Sequence, residues 1–250
     1  QLGLGGVLGL VAARAGVHSS RAIAPGMEQD RMKTALVTGA SRGIGLELCR
    51  QLKAGGYEVL GACRDPSPEL EALGVEIIES VDVTDAAGIA TLERRVGERE
   101  LDLLVNNAGI LKSDTLDSLD VGKLVRQFEV NTVGPLLVTR ALRPRLRRGA
   151  KVAIITSLMG SIADNSSGGY YGYRMSKAAV NMAGASLARD LAEQGITVLL
   201  LHPGMVATTM TSGRGIPVEE SVRGLIARIA EATPADSGSF RHANGKPLPW

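Results

Sequence analysis

The chain has 250 residues, of which 44% are hydrophobic and 22% charged, and its 28 basic and 26 acidic side chains leave a net charge of +2. Enough apolar surface exists to bury a sizeable core, which excludes a disordered chain, and the near-neutral balance excludes a general attraction to nucleic acid or to an anionic membrane. Two cysteines, Cys49 and Cys63, cannot build a disulfide framework, and His18, His202 and His242 show no ligand spacing, so no metal site is expected.

Residues 1–27 carry Arg14 and Arg21 but no Asp, Glu or Lys. The apolar run at 2–13 is too short to span a membrane, which takes about 20 residues. Three readings stay open: an organelle transit peptide, a secretory apolar segment, or a non-native extension with Met27 or Met32 as the true start. Residues 1–31 are therefore expected to be a leader or extension outside the fold, and 32–250 the folded domain. The expected compartment is the cytoplasm, or a mitochondrion or plastid if 1–27 is a transit peptide.

From residue 33 strand and helix alternate. Residues 33–38 read as a short apolar strand. Helical spacing of Ile44, Leu48 and Leu52 runs to a stop at Gly55 and Gly56. Strands are predicted at 57–62 and 75–81, a helix from an Asp85 cap to about Val96, and a strand at 102–105. Helices follow at 116–128 and 132–146, a strand at 151–156, a long helix at 173–193, a strand at 196–201, a helix at 218–232 and an edge strand at 238–242. Continuous apolar strands between helices predict an α/β fold: a doubly wound parallel sheet of Rossmann type, in three α/β/α layers and one domain. Ligands in such folds sit beyond the carboxyl ends of the strands.

The loop after the first strand reads Thr38-Gly39-Ala40-Ser41-Arg42-Gly43-Ile44-Gly45. Missing β-carbons let backbone approach a pyrophosphate, and the helix start offers free N–H groups. A tight turn without ligand would use the same glycines, but the placement between strand and helix favours a dinucleotide. The second strand ends Ala62-Cys63-Arg64-Asp65. An acid at that end would favour an unphosphorylated ribose. Arg42 and Arg64 could instead clamp a 2′-phosphate, so NADP(H) is expected over NAD(H). Asp65, if turned inward, would argue the other way, and Arg64 could also be a solvated strand-end charge.

Tyr173 and Lys177 lie four apart, on one helical face. An ammonium beside a phenol is expected to lower a pKa that starts near 10, giving a proton donor or acceptor near neutral pH. Such a pair is common by chance. Ser157 follows a strand end, and Asn131 opens a predicted helix and could be only its cap. In combination these residues carry more weight. The glycine loop, Asn106-Asn107-Ala108-Gly109, Asn131, Ser157, Tyr173-x3-Lys177 and Pro203-Gly204-Met205-Val206-Ala207-Thr208 stand in the order found in short-chain dehydrogenases/reductases. Over about 33–250 the chain resembles that family. Residues 159–168 and the terminal Gly245-Lys-Pro-Leu-Pro-Trp250 resemble its C-factor and sniffer-type carbonyl reductase branch.

The resemblance implies hydride transfer between NADP(H) and a small-molecule carbonyl or alcohol, in a reductase of broad range. It makes Tyr173 the general acid, Lys177 its tuner and ribose ligand, Ser157 the holder of the carbonyl, and Asn131 part of a proton relay. Gly39, Ser41, Arg42, Gly43, Ile44 and Gly45 would cradle the pyrophosphate. Asp82 and Val83 would meet the adenine, and Asn107, Ala108 and Gly109 the adenine ribose. Pro203, Gly204, Val206 and Thr208 would frame the carboxamide. A dinucleotide-binding sensor or signalling protein is the alternative reading.

Sixteen positions separate Ser157 from Tyr173, more than the family's usual dozen or so. Tyr170 and Tyr171 lie in that interval, but neither has Lys four residues on. The long loop around Ser166, Ser167, Gly168 and Gly169 is expected to be mobile over the substrate. The short stretch between Gly204 and Val218 predicts an open pocket, with Met159, Met205 and Met210 as candidate lining. Cys49 is expected to be buried and inert, and His202 positional. The arginines at 140, 143, 145, 147 and 148 are expected to face a helix C-terminus. The helices at 132–146 and 173–193 could form a homodimer or homotetramer contact, or simply cover the sheet.

Overall fold

Thr34–Thr38 (β1) is buried along its whole length, as a strand covered on both faces must be. It sits at the centre of the sheet in the computed structural model, which describes residues 31–250. β1 leads through the glycine loop into Gly43–Ala54 (α1), then Glu58–Ala62 (β2). Next come a short helix Pro68–Ala72 (α2), Glu76–Ile78 (β3), Ala86–Val96 (α3) and Leu101–Asn106 (β4). The second half runs Val121–Phe128 (α4), Gly134–Leu142 (α5), Leu146–Ile155 (β5), Tyr171–Asp190 (α6), Thr197–His202 (β6), Val218–Glu231 (α7) and Phe240–His242 (β7). Among the described residues the strands form one seven-stranded parallel sheet in the order β3-β2-β1-β4-β5-β6-β7. The order reverses between β1 and β4, so their carboxyl ends open the crevice where such sheets bind ligands.

Alternate residues along each strand feed two cores. Leu36, Leu60, Leu104, Val152 and Val198 pack with Leu92 of α3, Val138 of α5 and Val180 of α6. Val37, Val59, Val105 and Leu199 pack with Leu48 and Leu52 of α1 and Leu225 of α7 on the other face. No described helix is long and apolar enough to cross a membrane. The expected leader falls almost wholly outside the described residues.

Local chemistry moved several boundaries. The helix expected at 132–146 is a π-helical turn, Glu129–Val133, followed by α5. It ends before Pro144, which supplies no N–H for a helix interior. β5 then begins at Leu146, five residues early, because Gly149 (φ 85°) absorbs a register break between the Leu101–Leu146 and Leu103–Lys151 pairs. The helix expected from 116 starts at Val121, capped by Asp120, whose Oδ1 accepts from Lys123 N at 3.1 Å. β3 stops at Ile78 because Ser80 turns into the left-handed region (φ 61°). α2 has too few residues to show periodicity; its signal was Ser67, which caps Leu70 N, before Pro68.

Candidate active site

The glycine loop is folded by close approach of backbones. Gly39 has φ 68°, and a β-carbon there would lie 2.9 Å from Ala108 Cα. A β-carbon on Gly45 would lie 2.6 Å from Asn107 Nδ2. Asn107 holds the two strand ends together: its Nδ2 donates to Thr38 O at 2.9 Å and Gly39 O at 3.2 Å. Thr38 Oγ1 returns the contact by accepting from Asn107 N and Ala108 N at 3.0 and 3.1 Å. No side chain caps the start of α1, so its first N–H groups stay free for an anion. Gly43 (φ 55°) faces across to Thr208, 3.4 Å from its Cγ2 to a β-carbon at Gly43. Ser41 and Ile44 are half-buried. The loop is contiguous and tightly packed, and at Gly39 and Gly45 its course is possible only because β-carbons are missing.

Ala40 N donates to Ala62 O at 3.1 Å, which sets the loop beside the end of β2. Arg42 and Arg64 are both exposed there, and among the described residues neither forms an ion pair. Asp65 is exposed. Asp82 is more occupied than its sequence position suggests: Thr84 N and Oγ1 donate to its Oδ1, and Arg126 Nη2 to its Oδ2 at 2.9 Å. Burial raises its pKa, but those bonds outweigh burial and hold the carboxyl below its usual range. Val83 is buried against Gly134.

Ser157, Tyr173 and Lys177 are all buried, at 8%, 8% and 5% exposure. Ser157 stands just past β5 and accepts from Met159 N at 3.2 Å. Lys177 Nζ donates to Ile155 O at 2.9 Å and lies 5.7 Å from the centre of the Tyr173 ring. Burial pushes the Tyr173 phenol up to about 12, with a Ser157 hydrogen bond working against it. Burial pulls the Lys177 ammonium down to about 8. The expected lowering of the phenol by its ammonium is not what this structure gives: desolvation of the charged form raises the phenol, and the opposing contribution comes from Ser157.

Asn131 is not a helix cap. It lies in the π-helical turn, a feature common at functional sites. Its Oδ1 accepts from Ile110 N and its Nδ2 donates to Ile110 O, both at 2.8 Å, and Nδ2 also donates to Ser176 Oγ at 3.0 Å. Gly109 sits among these groups: a β-carbon there would be 3.2 Å from Asn131 Oδ1 and 3.8 Å from Lys177 Nζ. Tyr170 (37% exposed, φ 51°) and Tyr171 (37% exposed) stay outside the buried trio.

The segment after β6 is shaped by Gly204 (φ 88°), by Pro203 O accepting from Ser221 Oγ at 2.7 Å, and by a bridge between buried Val206 and Ile216. Met205 and Met210 are exposed and Met159 half-buried. His202 is edge-on to His242 at 5.0 Å, and burial pushes it down to about 4, so it is neutral at physiological pH. Cys49 is buried and pushed up to about 12, the inert thiol expected. The arginine run does not face a helix end as a group: Arg145 pairs with Glu98 and Arg147 with Asp102. Thr38, Gln127 and Ser176 went unmarked in the sequence. Their contacts reach residues 15 to 70 positions away, beyond any local spacing rule.

A family model described as short chain dehydrogenase matches residues 33–216. The 1-hydroxy-2-glutathionyl-2-methyl-3-butene dehydrogenase of Rhodococcus sp. (strain AD45) is 44% identical over 226 residues, 88% of this chain and 100% of that protein. The C-signal of Myxococcus xanthus is 45% identical over 154 residues, 60% of this chain and 93% of that protein. The crystal structure of an NADPH-bound carbonyl reductase from chicken fatty liver superimposes with a TM-score of 0.81 at 33% identity, covering 88% of this chain and 100% of that one. The chain belongs to the short-chain dehydrogenase family.

Proposed function

We propose that this oxidoreductase is an NADPH-dependent carbonyl reductase of broad substrate range, with residues 32–250 as its catalytic domain. The observation that carries the reading is the burial of Ser157, Tyr173 and Lys177 together beyond β5, beside the Asn106–Gly109 loop. The glycine cradle and the uncapped start of α1 fit a pyrophosphate, and Arg42 and Arg64, exposed and without an ion-pair partner among the described residues, fit a 2′-phosphate. NADPH, when bound, supplies the hydride. Ser157 donates a hydrogen bond to the substrate oxygen. Tyr173, fully protonated at neutral pH, gives its proton to that oxygen as negative charge develops there. Lys177, held by Ile155 O, then stabilises the phenolate left behind, and Asn131 holds Ile110 and Ser176 in place around it. The reverse sequence oxidises an alcohol, the direction named for the Rhodococcus relative.

The likeness to the Myxococcus C-signal supports the second reading, a dinucleotide-binding signalling protein with incidental catalysis. A binder alone needs no buried proton donor, which favours the enzyme. The deciding experiment is a panel of aldehydes, ketones and quinones assayed with NADPH and NADH side by side. Carbonyl-dependent oxidation of NADPH across several classes is expected. No turnover of any of them would leave the signalling reading.

A further inference from the structure

The helix that carries Tyr173 and Lys177 has no cap of its own. α6 begins at Tyr171, and the residue before it, Tyr170, is in the left-handed region and makes no side-chain hydrogen bond to the helix start. The cap comes from a different part of the chain. Asp114, 6% exposed in the loop after β4, accepts from Tyr171 N and, through Oδ2, from Gly172 N at 3.2 Å. Its backbone oxygen accepts from Tyr170 N at 2.9 Å. The Asp114 loop is itself fixed at both approaches: Asn131 holds Ile110, and Gln127 Oε1 accepts from Lys112 N at 2.8 Å. Gly172 adds contact on this side, since a β-carbon there would press on Leu124 Cδ2 at 2.8 Å.

Tyr173 stands one residue beyond this contact. C-terminal to it, Ser176 Oγ donates to Tyr173 O at 2.8 Å and Lys177 is tied to Ile155. N-terminal to it, the long loop from Ser157 offers no cap, and Asp114 is what holds the first turn. An uncapped first turn frays, and a shift of about 1 Å at a proton donor can cost on the order of a hundredfold in rate.

We propose that Asp114 is a positioning residue for the reaction. It acts as an N-cap supplied by the β4 loop, and it fixes the first turn of α6 so that the Tyr173 hydroxyl is held against Ser157. This rests on the reading of Tyr173 as the proton donor. The glycine cradle lies on other elements, Lys177 is tied separately to Ile155 O, and Asn107 to Thr38 O and Gly39 O, so the effect of losing the cap falls mainly on chemistry and little on cofactor binding.

The test is single-turnover oxidation of NADPH by the aldehyde or quinone that the wild-type protein reduces fastest, with NADPH affinity measured separately by fluorescence titration. Asp114→Ala is expected to lower the single-turnover rate about tenfold or more while the NADPH Kd stays within about twofold. Asp114→Asn keeps one of the two acceptors and is expected to fall between, about threefold down. A wild-type rate in Asp114→Ala, or an equal loss of rate and of NADPH affinity, would overturn the proposal. Should the alanine variant fail to fold, the asparagine variant decides, and a full wild-type rate in it overturns the proposal. A wild-type protein with no carbonyl-dependent turnover would instead sink the reading of the site itself.

Discussion

Lys177 places its ammonium 5.7 Å from the centre of the Tyr173 ring, one helical turn away, with both side chains buried. Burial drives the two groups apart on the pH scale: Lys177 falls from 10.5 to about 8, whereas Tyr173 rises from 10.0 to about 12. The phenol is therefore kept as a donor, and the charge that would stabilise its phenolate sits poised beside it.

The depressed lysine has a consequence for stability. Between about 8 and 10.5 the unfolded chain holds a proton on Lys177 that the folded chain has released, so this group makes stability rise with pH across that window. Below it, charging a buried ammonium costs up to about 3 kcal/mol, at about 1.4 kcal/mol per pH unit. Lys177→Met should be more stable than wild type at pH 7 and should lack the rise between pH 8 and 10.5. Urea titrations at pH 7, 8.5 and 10 check this. Cys49, raised to about 12, adds an opposite slope above pH 9 in both proteins, so the test is the difference between them: a wild-type curve parallel to that of Lys177→Met across the window would contradict it.

Arg64 is expected to distinguish the two nicotinamide cofactors. A charged hydrogen bond is worth about 1.5–3 kcal/mol, so Arg64→Ala should weaken NADPH about ten- to a hundredfold and NADH hardly at all. Isothermal titration with each cofactor reads the difference. Equal weakening of both would refute the assignment of a 2′-phosphate to this strand end.

α6 leaves Met175 and Met182 at 56% and 69% exposure, seven residues or two turns apart on one face. We propose that the homodimer left open by the sequence forms through α5 and α6, where a charge at this face lands in its seam. Met182→Glu should convert a dimer into a monomer with unchanged far-ultraviolet circular dichroism. Sedimentation velocity checks the mass, and a wild-type monomer at tens of micromolar would remove this interface.

The parallel sheet was legible because its strands are uninterrupted apolar runs, and the trio proposed for catalysis stood out because the order of its motifs is specific. What spacing could not show was how these pieces are held. Thr38, Asn107 and Ala108 meet across about 70 positions, and Asp114 reaches α6 across 57. Asn131 looked like a helix start because its π-turn has no signature in a 3.6-residue pattern. The direction of the Tyr173 shift was missed because helical spacing reports neighbours and says nothing of burial. The end of α5 was readable in principle from Pro144, which the Leu- and Val-rich pattern masked.

The most direct measurement is the reaction of Tyr173→Phe. Removing the hydroxyl keeps the ring and its packing and deletes the proton donor. Carbonyl-dependent oxidation of NADPH should fall by about 10²–10⁴-fold while NADPH binds as it does to wild type. Turnover within a few-fold of wild type in that variant would contradict the account.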